Sequence, residues 1–402
     1  MKTLLPLVLI LFPVFLTAQE VTLISERDSI PSLIERIMNR RDSTFEATGQ
    51  HRKITSHINL EFVTSTNASF TENRFDELSF KTNRVRLEIY GRLNRHLSYH
   101  FRQSFNRYHN PFVVDNLPSS IEYANIKWHV NDRFDLTAGK QFVAFAGYEG
   151  YVNGIKVREF SDFNNNTEIF QTGIMGTIHF SPTQLLMLQV VNNRSGSDND
   201  VLLHGLPEGV QPARIPLLAT AHWNGYFADG AVNLMYSASV GQQAKGKNVY
   251  YLMCGNIYEK GPVLAYLDVL YARSAIDGQQ RITNLLGGGM LPVTAQNTQY
   301  LTFIANVDYR FHPKWNGYVK GAYETAGVYE TNGIFEKGRY MTCWNAQACI
   351  EWFPFTEDKG FKVFAHYIYR GHTLTEKADA LNAVMPHTQR VSLGLQYIIP
   401  VL

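Results

Sequence analysis

Positive charge recurs along this chain at a spacing of two. Over residues 84–93, Arg84, Arg86, Glu88 and Arg92 share one parity, while Val85, Leu87, Ile89 and Leu93 hold the other. Successive side chains of an extended strand point to opposite faces, so one face of this segment is charged and the other apolar. Arg102, Lys127 and His129 continue the charged parity, opposed by Glu88 and Asp135. Further along, Arg310, Lys320, Arg339, Lys362, Arg370 and Arg390 recur against Asp268, Asp308, Glu324 and Glu351. A polar wall with surplus fixed positive charge concentrates anions, and rings of Arg or Lys select them in a water-filled passage. That chemistry is electrostatic and makes or breaks no bond. Its densest basic wall is expected at Arg84, Arg86 and Arg102. The plainer alternative is a lining of both signs whose members, such as Arg86 and Glu88, neutralise one another.

A second group of charges lies close together in sequence. Residues 142–170 carry Lys156 and Arg158 beside Glu149, Glu159, Asp162 and Glu168, with the run Asn164-Asn165-Asn166. By strand count this is the third long connection on its side. Folded inward it would form a narrow passage bordered by both signs, whose transverse field orients small polar solutes. Lying over the mouth instead, it would be a surface loop with solvated charges. Enzyme chemistry has little support. His96 and His100, four apart on a strand, sit about 13 Å from each other, too far to share one metal ion. No His-Glu-x-x-His, P-loop or Gly-x-Ser-x-Gly sequence occurs, and His222, His366 and His387 have no evident acid or serine partner. Cys254, Cys343 and Cys349 read as small strand filler. No cofactor or metal is expected, and a formal charge of +2 gives no sign of a nucleic-acid partner.

The elements that must position these charges are strands. Alternating segments fall near 55–66, 79–93, 97–106, 120–130, 134–141, 171–180, 184–192, 217–227, 231–240, 248–258, 263–273, 299–311, 315–326, 339–353, 361–371 and 387–399. Short polar turns at Asn94–His96, Asn131–Arg133, Ser181–Thr183, Asp229–Gly230, Glu259–Pro262, His312–Lys314 and Pro354–Gly360 alternate with longer connections, among them 107–119, 193–216, 274–298 and 372–386. That rhythm predicts an all-β fold, a 16-stranded antiparallel up-and-down transmembrane β-barrel over residues 55–402, with short periplasmic turns and long external loops. Closure removes the unpaired strand edges that hydrocarbon forbids. Trp128, Trp223, Trp315 and Trp352 lie beside short turns on the apolar parity, which Phe134, Phe311 and Phe353 are expected to share. A row of indoles there would mark the membrane interface. Residues 1–19 read as an export signal, with Lys2, an apolar run from Leu4 to Leu16, and Ala18 at the cleavage point. Residues 20–54 read as a periplasmic extension with one short amphipathic helix near Leu33, Ile34, Ile37 and Met38.

Two stretches carry a resemblance. Arg84-Val85-Arg86-Leu87 followed by Gly91, and Leu136-Thr137-Ala138-Gly139-Lys140-Gln141-Phe142 running into Phe145-Ala146-Gly147-Tyr148-Glu149, resemble the bacterial phosphate-selective porin O and P family. The likeness covers the chain from about Thr55 to Leu402; the C-terminal Tyr397-Ile398-Ile399-Pro400-Val401-Leu402 departs from the Phe or Trp that ends many such strands. It implies a bacterial outer-membrane porin among outer-membrane lipid, passing small anionic or polar solutes and associating as a homotrimer. Phosphate selectivity follows from the resemblance alone. The rival expectation is a barrel without transport, acting as a scaffold or assembly partner through its loops.

Overall fold

The computed structural model describes residues 54–106, 117–152, 154–193, 202–289, 291–355, 358 and 360–401. The expected export signal and the helix within residues 20–54 lie outside the described residues. Sixteen strands form: β1 (Thr55–Thr71), β2 (Arg74–Arg92), β3 (Leu97–Ser104), β4 (Ile121–Asn131), β5 (Phe134–Phe142), β6 (Phe170–Ser181), β7 (Gln184–Asn192) and β8 (Leu217–Phe227). They continue as β9 (Val232–Ala244), β10 (Lys247–Lys260), β11 (Val263–Ile276), β12 (Gln296–His312), β13 (Trp315–Val328), β14 (Gly338–Trp352), β15 (Phe361–Leu374) and β16 (Thr388–Pro400). Every strand pairs antiparallel with its neighbours in sequence, and β1 closes the barrel on β16 from Asn59 opposite Pro400 to Thr71 opposite Thr388. Among the described residues the exception to two-sided pairing is the Arg74 end of β2, which runs beyond β3 and pairs with β1 alone.

Alternation sets which way each side chain faces. Along β12, Thr302, Ile304 and Asn306 are buried inside while Phe303 and Val307 are exposed outside. Leu188, Leu252, Val319 and Leu393 are likewise exposed on the outer wall. Trp128, Trp315 and Trp352 face outward beside the short turns, and Trp315 stacks on Trp352 with ring centroids 6.1 Å apart. Phe311 is exposed with them, but Phe353 is not: it turns inward and is buried under the Arg310 guanidinium, 3.9 Å from its ring centre. The expected girdle therefore loses Phe353, because it keeps the inward parity of Cys349 and Glu351, one residue past the outward Trp352.

The turn rhythm also differs at the long-loop end. Strands β1 and β2 run past the expected boundary and close through Glu72 and Asn73, both at positive φ, the backbone of a tight hairpin. Strands β9 and β10 likewise close through Lys245-Gly246. These two connections are short because their strands are long. The loops after β7, β11 and β15 pack together at that end, with Gly287 N–H donating to Leu381 O at 2.8 Å and Leu203 N–H to the Gln280 side chain at 2.9 Å.

The outer wall gives a direct test. Leu393, 61% exposed in mid-β16, is expected to lie against acyl chains. Leu393→Arg should lower unfolding stability in lipid vesicles by about 2–4 kcal/mol, the cost of an arginine near a bilayer midplane. A water-exposed site would show almost no change.

Candidate functional site: an inward loop bonded to the barrel wall

The connection between β5 and β6 crosses the interior. Val143 to Ala146 are buried, and Ala144 N–H donates to Gln189 on β7 while Ala146 N–H donates to Ser237 on β9, each at 2.8 Å. At the far side Glu159 is ion-paired to Arg370 on β15 and Arg390 on β16. Strands β8 and β16 lie half a turn of the barrel apart. The loop therefore spans from one wall to the opposite one, as the inward alternative required. Gly147, at φ 113°, makes the close approach possible: a Cβ on its wall neighbour Gly255 would lie 2.9 Å from Gly147 Cα.

Two wall carboxylates hold the loop by its helix starts. Helix α1 (Tyr148–Tyr151) begins where Tyr148 and Glu149 N–H donate to Asp268 at 2.8 and 2.9 Å. Helix α2 (Asp162–Asn165) begins where Asp162 and Phe163 N–H donate to Glu324 at 2.7 and 2.9 Å. The first N–H groups of a helix have no partner within it, and a carboxylate also suits the positive end of its dipole. Between the helices, buried Glu149 accepts from Lys320 Nζ at 2.6 Å, from Ser161 Oγ at 2.7 Å and from Asn164. Burial works against its charge, but the Lys320 ammonium and these donors outweigh it and hold the carboxyl below its ordinary range. Lys320 also donates to the Glu159 carbonyl.

The residues read from sequence separate into four groups. Arg86 and Arg102 are buried in a network with Glu61, Glu88 and Glu122: Arg86 pairs with Glu61 and, at 3.3 Å, with Glu122, while Arg102 reaches Glu122 at 2.6 Å and Glu88 at 3.7 Å. The wall expected to be most basic thus sets Arg86 and Arg102 against three glutamates, which removes the surplus expected of these two. Second, Lys320, Lys362 and Arg158 serve the loop and its surroundings: Lys362 and Arg158 share Glu351 at 2.8 and 3.0 Å, and Arg158 lies 3.7 Å over the Phe364 ring. Third, Arg84, Arg370 and Arg390 border the loop with partial exposure. Arg84 lies beside Gly154, and among the described residues no ion pair or hydrogen bond reaches its guanidinium.

The fourth group stands at the ends. Arg92 and Lys127 are half-buried near the short turns, and Arg310 caps Phe353 there. Lys156 lines a cavity of about 90 Å³ on the short-turn side of the loop, together with Tyr148, Tyr266, Asp308, Arg310 and Lys362. Arg339 is a correction. A register shift between Ala326 and Gly327 turns Tyr340 inward, so Arg339 is exposed on the outside and lines nothing.

Two inward residues escaped the parity reading. Glu122 bridges Arg86 and Arg102 because a register shift at Arg102/Gln103 turns both Glu122 and Tyr123 inside. Lys140 is buried because Gly139, at φ 117°, breaks the alternation before it. Gly139 itself was the available signal for the second; nothing in the sequence marks the first.

Comparison with known proteins agrees with this geometry. The family model for phosphate-selective porin O and P matches residues 59–399. No curated protein matches the sequence. Among solved structures, the barrel is similar to the outer membrane channel DcaP of Acinetobacter baumannii at 12% identity, TM-score 0.60, covering 86% of this chain and 97% of that one. OmpF of Salmonella typhi, solved with daunomycin, aligns at 13% identity and TM-score 0.54 over 86% of this chain and 98% of its own. A trimer form of OmpT, an outer membrane protein of Vibrio cholerae, aligns at 12% identity and TM-score 0.50 over 86% and 99%.

Proposed function

The chain belongs to the phosphate-selective porin O and P family and is a channel of the bacterial outer membrane, and we propose that it passes small hydrophilic solutes passively with a preference for anions. Wall charge and passage width would set selectivity, and the solute gradient would supply the work, so no cofactor enters. One observation supports the sign. At the loop, Arg370 and Arg390 both reach Glu159, Arg370 also reaches Asp162 at 3.4 Å, and Arg84 stands near Gly154 with no bonded partner among the described residues. The side chains of Arg370 and Arg390 keep 24% and 35% exposure, so they border the lumen rather than the protein interior. Phosphate as the natural solute is suggested by the family's description alone.

The channel-lining set follows from this placement. Arg84, Arg370 and Arg390 carry the preference; Lys156 and Arg310 add positive charge below the loop; Arg86, Arg102, Lys320 and Lys362 hold the structure in which they act. A homotrimer is proposed by likeness to the trimeric OmpT form.

The reversal potential across a potassium chloride gradient tests the sign. Wild type is expected to favour chloride, and a triple change of Arg84, Arg370 and Arg390 to Ala is expected to carry the potential toward the cation side. A wild type that favours potassium, or a triple variant with an unmoved potential, would refute the assignment.

A further inference from the structure

Three potential metal ligands from three separate segments meet where the inward loop touches the wall on its long-loop side. Asp162 opens α2 of the loop, Cys343 lies on β14, and His372 sits directly across from Cys343 on β15. One ligand atom from each lies within 4.8 Å of the other two. Bonds of roughly 2.0–2.3 Å to a tetrahedral ion would require these atoms to close by about 1 Å. Cys343 is buried, whereas Asp162 and His372 are partly exposed, so the cluster is open on one side to lumen water.

The surroundings are those of a built ligand set. The Nδ1 of His372 lies 3.2 Å from the carbonyl of Pro386; donating its N–H there, the ring presents the Nε2 lone pair as a ligand. A backbone carbonyl fixing the second ring nitrogen is the usual support for a metal-binding histidine. Asp162 is oriented by Arg370 at 3.4 Å and Arg281 at 3.7 Å, and Arg281 is itself balanced by Glu324 at 3.4 Å. Cys343 is a free cysteine.

We propose that Asp162, Cys343 and His372 bind a divalent metal of the zinc class and that the bound ion pins the inward loop to the β14–β15 wall. Sulfur, imidazole nitrogen and one carboxylate oxygen suit a borderline-soft ion far better than calcium or magnesium, which take oxygen ligands. Binding forms the sulfur–metal bond, releases the thiol proton to lumen water, and leaves the fourth position to a water molecule. Joining Asp162 of the loop to Cys343 and His372 of the wall tightens the loop against the repulsion of Arg370 and Arg281, and the added positive charge disfavours cations in the passage. The ligand set is independent of which ion the channel prefers.

Cobalt(II) added to the purified, detergent-folded wild-type barrel is the probe. A thiolate-to-cobalt charge-transfer band is expected, and zinc should displace it. Cys343→Ser should abolish the band, and His372→Ala should weaken cobalt binding by at least about tenfold. Heat-modifiable gel migration reports whether each variant is folded; should Cys343→Ser misfold, His372→Ala carries the test. No band in the wild type, a band that survives Cys343→Ser, or unchanged affinity in His372→Ala would each overturn the proposal. A surviving band would place the ion on Cys254 or Cys349. Because this readout needs no current, it stays distinguishable from failure of the channel assignment.

Discussion

Lys320→Met is expected to free the inward loop and make the channel noisy. The change removes the ammonium that faces the fully buried Glu149 carboxylate and the bond it gives to the Glu159 carbonyl. Removing one partner of a buried ion pair costs about 3–5 kcal/mol, because the remaining charge is left desolvated and alone. At about 1.4 kcal/mol per factor of ten, the population with the loop released should rise by roughly two to three and a half powers of ten. Single-channel records should then show larger, fluctuating openings, and proteases should cut between α1 and α2. The double variant Lys320→Met with Glu149→Leu removes both charges together and should recover most of the quiet, protected state. A single variant as quiet and as protected as wild type would show that the pair does not hold the loop.

Arg86→Ala should damage stability while leaving ion preference alone. Arg86 pairs with both Glu61 and Glu122, all three nearly free of solvent. Its loss exposes Glu61 to the same penalty, about 3–5 kcal/mol, while Arg102 continues to hold Glu122 at 2.6 Å. Urea unfolding in lipid vesicles should show the midpoint falling with little change in slope. The reversal potential should stay where it was, since Arg86 faces glutamates rather than water. A variant that unfolds as wild type does but loses anion preference would exchange the roles of Arg86 and Arg84.

Much of this fold was legible because a barrel obeys a simple period. Side chains alternate, so the charged parity of β2 and the greasy parity of β16 could be assigned from residue type. Turn chemistry at Asn94–His96 or Asp229–Gly230 then fixed where strands reverse. The reading failed where the period itself is interrupted. Register shifts turned Glu122 inward and Arg339 outward, whereas Phe353 keeps the inward parity of Glu351 and was placed on the wrong face. A bulge depends on which backbone groups pair across two strands, and side-chain type carries little of that information.

The site was legible in composition but not in pairing. Lys156, Arg158, Glu149, Glu159 and Asp162 were visible as a mixed-charge loop, and the loop does enter the barrel. What it meets there is set by closure: Lys320 is 171 residues from Glu149, and Arg390 is 231 residues from Glu159. No local pattern links such positions. The same limit hid the balance of the β2–β3 wall, because Glu61 and Glu122 come from the strands on either side. Counting charges along the chain overstated the basic surplus; pairing across strands sets Arg86 and Arg102 against glutamates and Arg370 and Arg390 against Glu159 and Asp162.

Electrical recording from the purified, folded protein in a planar bilayer bears on all of this at once. Discrete current steps of uniform size, larger when Lys320→Met loosens the loop, are the expected outcome for a charged parity that encloses water and a loop that narrows it. A correctly folded barrel that inserts and stays silent would contradict it.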